Sequence, residues 1–265
     1  MYRVRLVAFL AFMAMVLSAC GLPSAPRANP CDDPSYEPLR GAALADAVRE
    51  RLNLEGEPTC ADLEQLTTLD ATGRGVRDLL GLEHATALVS LRLDDNDVSE
   101  LRPITRLSSL RFLYLAGNPI RDLTPLGNLD DLFVLSLHGV EAIPNLEPLR
   151  RMTRLEHAYL SGTGASDGTP LAGLARLRIL HLESNELDDV SFLSGLTQLR
   201  DLRLAGNRIT DVSALVDNPG LAAGARVDLR SNCLDLTPGS ASRGEIDQLL
   251  DRGVDLVFDP QRDDC

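Results

Sequence analysis

The chain has 265 residues and a net charge of −13, with 39 acidic residues against 26 Arg and no Lys. That balance excludes nucleic acid and anionic membrane surfaces as natural partners, because both repel an acidic protein. With six Phe, four Tyr and no Trp, any local concentration of aromatic side chains stands out.

In chain order, residues 1–19 read as an export signal. Arg3 and Arg5 make a positive start, and residues 6–17 (LVAFLAFMAMVL) are an apolar run of 12, too short to cross a bilayer as a helix. The run ends in Leu17-Ser18-Ala19-Cys20. That tetrapeptide resembles the bacterial lipobox, which implies cleavage before Cys20 and acylation of its sulfur. An ordinary secretory signal with an unmodified Cys20 is the alternative. Cleavage removes Arg3 and Arg5 and takes the net charge from −13 to −15. Residues 21–30 carry Pro23, Pro26 and Pro30 and read as an extended tether.

Five cysteines is an odd number for an exported chain, and lipidation of Cys20 accounts for one. Cys31, Cys60, Cys233 and Cys265 remain, two at each end of the chain. Of their three connectivities, Cys31–Cys60 with Cys233–Cys265 alone avoids crossing the whole molecule. Export makes such bonds sustainable. A zinc site is the rival, disfavoured because no two cysteines stand within four residues of each other.

Residues 37–54 read as a helix, and Thr59-Cys60-Ala61-Asp62 as a capping box opening a second one. Seven units follow, opening at Leu66, Leu88, Leu110, Leu132, Leu155, Leu177 and Leu199. Six are read as 22 residues long; the fourth, 132–154, has 23, with its insertion near Val140 and Ile143. An incomplete eighth carries Val227, Leu229 and Asn232. Within a unit, leucines alternate with other residues over a short strand. Asn96, Asn118, Asn185, Asn207 and Asn232 share one slot, and Pro103, Pro125, Pro148 and Pro170 another. An inward Asn amide suits buried backbone turns. Proline suits the first turn of a short helix. Asp78, Glu100, Asp122, Asp167, Asp189 and Asp211 stand just before, placed to cap that turn. Arg74, Val140 and Thr163 break the Asn slot. Ala158, Ala165 and Gly168 thin the fifth unit, where a bulge or bend is expected.

This pattern resembles the leucine-rich repeat in its 22-residue, internalin-like bacterial form, over residues 66–235. The fold expected is α/β: a right-handed leucine-rich-repeat solenoid, with a parallel sheet on the concave face and short helices or 3-10 turns on the convex face. A helical cap covers 31–65, and a helix–strand cap covers 236–265. Ser242-Arg243-Gly244-Glu245 is expected to open the last helix and Gly253 to end it; Val254, Leu256 and Phe258 then alternate as an edge strand.

The positions between strand leucines vary, and in a solenoid they face outward. One row reads Thr68, Ser90, Phe112, Val134, His157, Ile179, Asp201, Arg226; the next reads Asp70, Arg92, Tyr114, Ser136, Tyr159, His181, Arg203, Asp228. Both are polar at the ends and aromatic or apolar in the middle, the anatomy of an interface. Strand propensity alone would also favour aromatics there, but does not explain their absence from the end rungs. Arg92, Phe112, Tyr114, Val134, His157, Tyr159, Ile179, His181 and Arg203 are therefore the candidate contacts. His138, His157 and His181 share this side, but rung spacing keeps them about 8 to 14 Å apart, too far for one zinc. The resemblance implies a non-enzymatic module that grips another protein through its concave face, with no cofactor and membrane contact only through the acyl anchor. Gly21 after the anchor resembles the outer-membrane-sorted class of lipoproteins in diderm bacteria; in a monoderm the chain is expected on the cell surface. Two alternatives stand: a scaffolding envelope protein, or a hydrolase using His181 and Glu183, for which no nucleophile or oxyanion site accompanies the pair.

Overall fold

Each unit contributes one three-residue strand whose central side chain turns inward. The strands are β1 Thr68–Asp70, β2 Ser90–Arg92, β3 Phe112–Tyr114, β4 Val134–Ser136, β5 His157–Tyr159, β6 Ile179–His181, β7 Asp201–Arg203, β8 Arg226–Asp228 and β9 Asp255–Val257. They pair in chain order, all parallel, in one nine-stranded sheet among the described residues. Like pairs with like: Leu69, Leu91, Leu113, Leu135, Ala158, Leu180 and Leu202 stand in one file. The computed structural model describes residues 31, 38–141, 143, 145–262 and 265. The export signal, Cys20 and the tether lie outside them. Residues 37–265 form one unit, and the fold described is theirs.

A three-residue strand has too little surface to bury its own face. Stacked, the inward leucines make one continuous core along the sheet. Opposite the sheet run the 3-10 turns Leu82–His84, Arg102–Ile104, Thr124–Asn128, Glu147–Leu149, Thr169–Leu171 and Ser191–Gly195. Four of them carry proline in the first turn, as expected. The acidic residues before them act as Asx turns. Asp78, Asp122, Asp167, Asp189 and Asp211 each accept from the N–H two residues on, at 2.7–2.8 Å. Asn145 does the same for Glu147 at 2.8 Å. The Thr124, Thr169 and Ser213 hydroxyls, then their N–H groups, hold Asp122, Asp167 and Asp211 below the ordinary carboxylate range. Glu100, one methylene longer, makes no such bond.

The Asn slot forms a ladder. The Asn118 amide donates to Leu93 O at 2.8 Å on the preceding rung and to Leu115 O at 3.0 Å on its own. Its oxygen accepts from Val98 N–H at 2.9 Å. Asn96, Asn185, Asn207 and Asn232 repeat the pattern. An inner carbonyl between two such residues thus receives two amides: Leu204 O takes Asn207 at 2.8 Å and Asn232 at 3.0 Å. Thr163 imitates half of this, its hydroxyl donating to Leu160 O at 3.1 Å. Arg74 leaves the slot and pairs with Glu50 on the surface.

The fifth rung keeps its register through β4, β5 and β6. Its thinness is filled from the sixth. Gly168 stands where other rungs carry Leu101, Leu123, Leu146 or Val190, and Phe192 stands in the proline slot. A Cβ at Gly168 would meet the Phe192 ring at 2.1 Å, so the ring occupies the space of the missing side chain. The seventh rung departs from the expected length. From Asp201 to Arg226 is 25 positions, and the extra residues allow a true helix, α3 Ser213–Asp217, in place of a 3-10 turn.

Both ends are covered. At the start, α1 Ala42–Leu52 buries Leu44, Ala45, Ala47 and Val48. Its Arg51 donates to Thr68 O at 3.0 Å, closing the outer edge of β1. The helix α2 Cys60–Glu64 opens on the expected capping box, with Thr59 and Asp62 bonded reciprocally. At the other end α4 spans Ala241–Asp251, capped by Ser240 rather than Ser242. Ser242 instead donates to Thr210 O at 3.0 Å, and Glu245 accepts from Val212 N–H at 3.3 Å, tying α4 to the seventh rung. Gly253 ends it with φ +79°, and β9 follows. Cys233 and Cys265 are bonded to each other. Cys31 and Cys60 are each disulfide-bonded, so neither offers a free thiolate.

Candidate functional site

The strand register confirms both outward rows position by position. Ser90, Phe112, Val134, His157, Ile179, Asp201 and Arg226 are neighbours across the sheet, as are Arg92, Tyr114, Ser136, Tyr159, His181, Arg203 and Asp228. Phe112 is 38% exposed, while Val134 and Ser136 are only 8% exposed. Val134 therefore lies in the row without offering much surface. Tyr114, His157, Tyr159, Ile179 and His181 are half-buried, and Arg92 and Arg203 are exposed.

The central side chains hold one another. Arg92 stacks its guanidinium 4.1 Å from the Tyr114 ring centre. Tyr159 and His181 meet edge to face at 5.0 Å. His181 Nε2 stands 3.5 Å from Asp201 Oδ1, at the outer limit of hydrogen-bond distance. Burial, then the Arg203 charge, holds the His181 pKa below the usual imidazole value despite Glu183 and Asp201. These surroundings favour the uncharged ring.

A third row lies two residues beyond the second: Asp94, Ala116, His138, Ser161, Glu183 and Ala205. Their carbonyls carry the hydrogen-bond ladder past the strands. The sequence reading stopped at two rows; the signal for a third was the same period continued by two positions. Between the second and third rows lies a groove of about 390 Å³, walled by Ser136, His138, Tyr159, Ser161, His181 and Glu183 among others. The Ser161 hydroxyl donates to Glu183 Oε2, not to His181. No hydrogen bond joins His181 to Glu183, so the two do not form the acid–base pair considered from sequence. No three His, Cys, Asp or Glu side chains converge on this face among the described residues.

Stacked leucine strands, the asparagine ladder and 3-10 turns behind the sheet define a leucine-rich-repeat solenoid. A family model for leucine-rich repeats, in two copies, matches residues 175–217. The architecture is of the internalin type. An internalin C2 from Listeria monocytogenes superposes with a TM-score of 0.73 at 26% identity, covering 84% of this chain and 93% of that one. A second internalin from Listeria monocytogenes gives 0.68 at 25% identity, covering 85% of this chain and 71% of that one. A leucine-rich-repeat protein of Leptospira interrogans gives 0.63 at 25%, covering 74% and 51%. No curated protein sequence matches. No helix among the described residues is long and apolar enough to cross a membrane.

Proposed function

We propose that this chain is an exported binding module that grips another protein through the outward face of its sheet. One observation carries the reading: in a chain with ten Phe and Tyr in all, Phe112 and Tyr114 on β3 and Tyr159 on β5 stand one strand apart, beside His157 and Ile179. Charged residues border them on both sides, Arg92 before and Asp201 and Arg203 after. Neighbouring rungs lie about 4.8 Å apart, so the patch is roughly 15–20 Å long. Half-buried aromatics ringed by charge are the usual energetic centres of protein interfaces.

Affinity purification on the wild-type chain, repeated with Tyr114→Ala/Tyr159→Ala, tests this. Two hot-spot tyrosines at about 2 kcal/mol each weaken binding by roughly three orders of magnitude. Capture is expected to vanish while the thermal transition holds. Undiminished capture by the double variant would remove the reading.

The module is held to a bacterial envelope membrane by acylated Cys20, and residues 21–30 keep the solenoid off the surface. The support is the apolar run before Leu17-Ser18-Ala19-Cys20 and the odd cysteine count. Cys20→Ser is expected to shift the chain from the membrane fraction to the soluble one. A variant that stays membrane-bound would speak against lipidation.

A further inference from the structure

The groove between the second and third rows is narrower in chemistry than the face around it. Tyr159, Ser136, Ser161 and Glu183 line it, together with Arg203. Glu183 is half-buried, with 24% of its side chain exposed. Only Oε2 is hydrogen-bonded, by Ser161; Oε1 forms a long ion pair with Arg203 Nη1 at 3.7 Å, too far for a hydrogen bond. Arg203 is already engaged, its Nε 3.3 Å from Asp201 Oδ1. Glu183, Asp201 and Arg203 together leave one net negative charge, and the uncharged His181 ring that burial favours adds none. A carboxylate oxygen with no hydrogen bond, beside an aromatic ring and hydroxyl acceptors, suits a compact cation that brings several donors of its own.

We propose that this groove takes the ammonium group of a lysine from a basic protein partner, with Glu183 as its counter-ion. This rests on the reading of the sheet face as a protein interface and names the chemistry of its anchor. Arg203 also lines the groove, and a compact ammonium adds less bulk beside it than a planar guanidinium would. Ala116 lines the groove with a small side chain, where the adjacent rungs carry Asp94 and His138. The net charge, −15 once residues 1–19 with Arg3 and Arg5 are removed, favours a basic partner at long range, and Glu183 fixes where one of its cations ends.

The test follows the Tyr159 and His181 side-chain signals in 1H–13C spectra of the purified chain. n-Butylammonium, n-butyrate and a methyl glycoside are titrated in parallel. n-Butylammonium alone is expected to shift both signals, and Glu183→Gln to abolish the shift with an unchanged thermal transition, since the amide oxygen still accepts from Ser161. Shifts from butyrate or the glycoside instead, equal shifts in Glu183→Gln, or no shift from any probe would each overturn the proposal. Capture of the protein partner separates the two readings. Glu183→Gln is expected to weaken it about tenfold or more. Full capture by Glu183→Gln, with loss in Tyr114→Ala/Tyr159→Ala, ends the lysine groove and leaves the interface standing.

Discussion

Phe192→Ala is expected to cost about 3–5 kcal/mol, the usual range for truncating a buried Phe. In a solenoid of this size that lowers the melting temperature by roughly 10 °C. The reason is the pairing with Gly168. The ring is 6% exposed and fills the place where a Leu or Val stands in other rungs. Alanine would leave that place empty on both rungs at once. Gly168→Leu alone is also expected to destabilise, because its Cβ meets the ring at 2.1 Å. The double change Gly168→Leu/Phe192→Pro restores what the neighbouring rungs carry and is expected to recover most of the loss. Calorimetry on the three variants gives the coupling. Additive losses would show that the two positions do not share one space.

Asn207→Leu is expected to cost about 3 kcal/mol. Its oxygen alone receives Leu187 N–H, at 3.0 Å, and that buried donor would be orphaned. Leu182 O and Leu204 O would each fall from two amides to one, since Asn185 and Asn232 still reach them. The number of side-chain heavy atoms is unchanged, so no cavity opens; the loss combines the broken hydrogen bonds with some overpacking by the bulkier methyls. Hydrogen exchange at Leu187 should accelerate far more than at the strand amides. Arg74→Ala, in the same slot but turned to solvent, is expected to stay within about 0.5 kcal/mol. A change below 1 kcal/mol at Asn207 would mean that the ladder does not hold the turns.

Most of the fold was legible because its determinants repeat. Leucine spacing set the strands, the Asn slot set the inner turns, and Thr59 with Asp62 set a local capping box. What escaped depends on partners distant in sequence. Ser240 and Ser242 look alike as caps; the choice is made by Thr210 and Val212, which engage Ser242 and Glu245. The seventh rung looked shorter because Leu221 falls 22 positions after Leu199 and imitates the start of a unit. Gly168 was recognised as thin, but its compensation lies 24 positions on, in a residue that reads as a simple loss of proline. The two outward rows were legible from alternation. The groove was not, because its far wall begins where the strands end.

Each rung meets only the rungs on either side of it, so recognition comes in discrete increments. Excising residues 110–131 would bring Arg92 beside Ser136 and Ser90 beside Val134, with Leu91 against Leu135 inside. The spine would close over the gap while Phe112 and Tyr114 left together. Specificity in such a molecule is editable by whole cassettes: adding or dropping one lengthens or shortens the reading surface by a fixed step and leaves both lids in place.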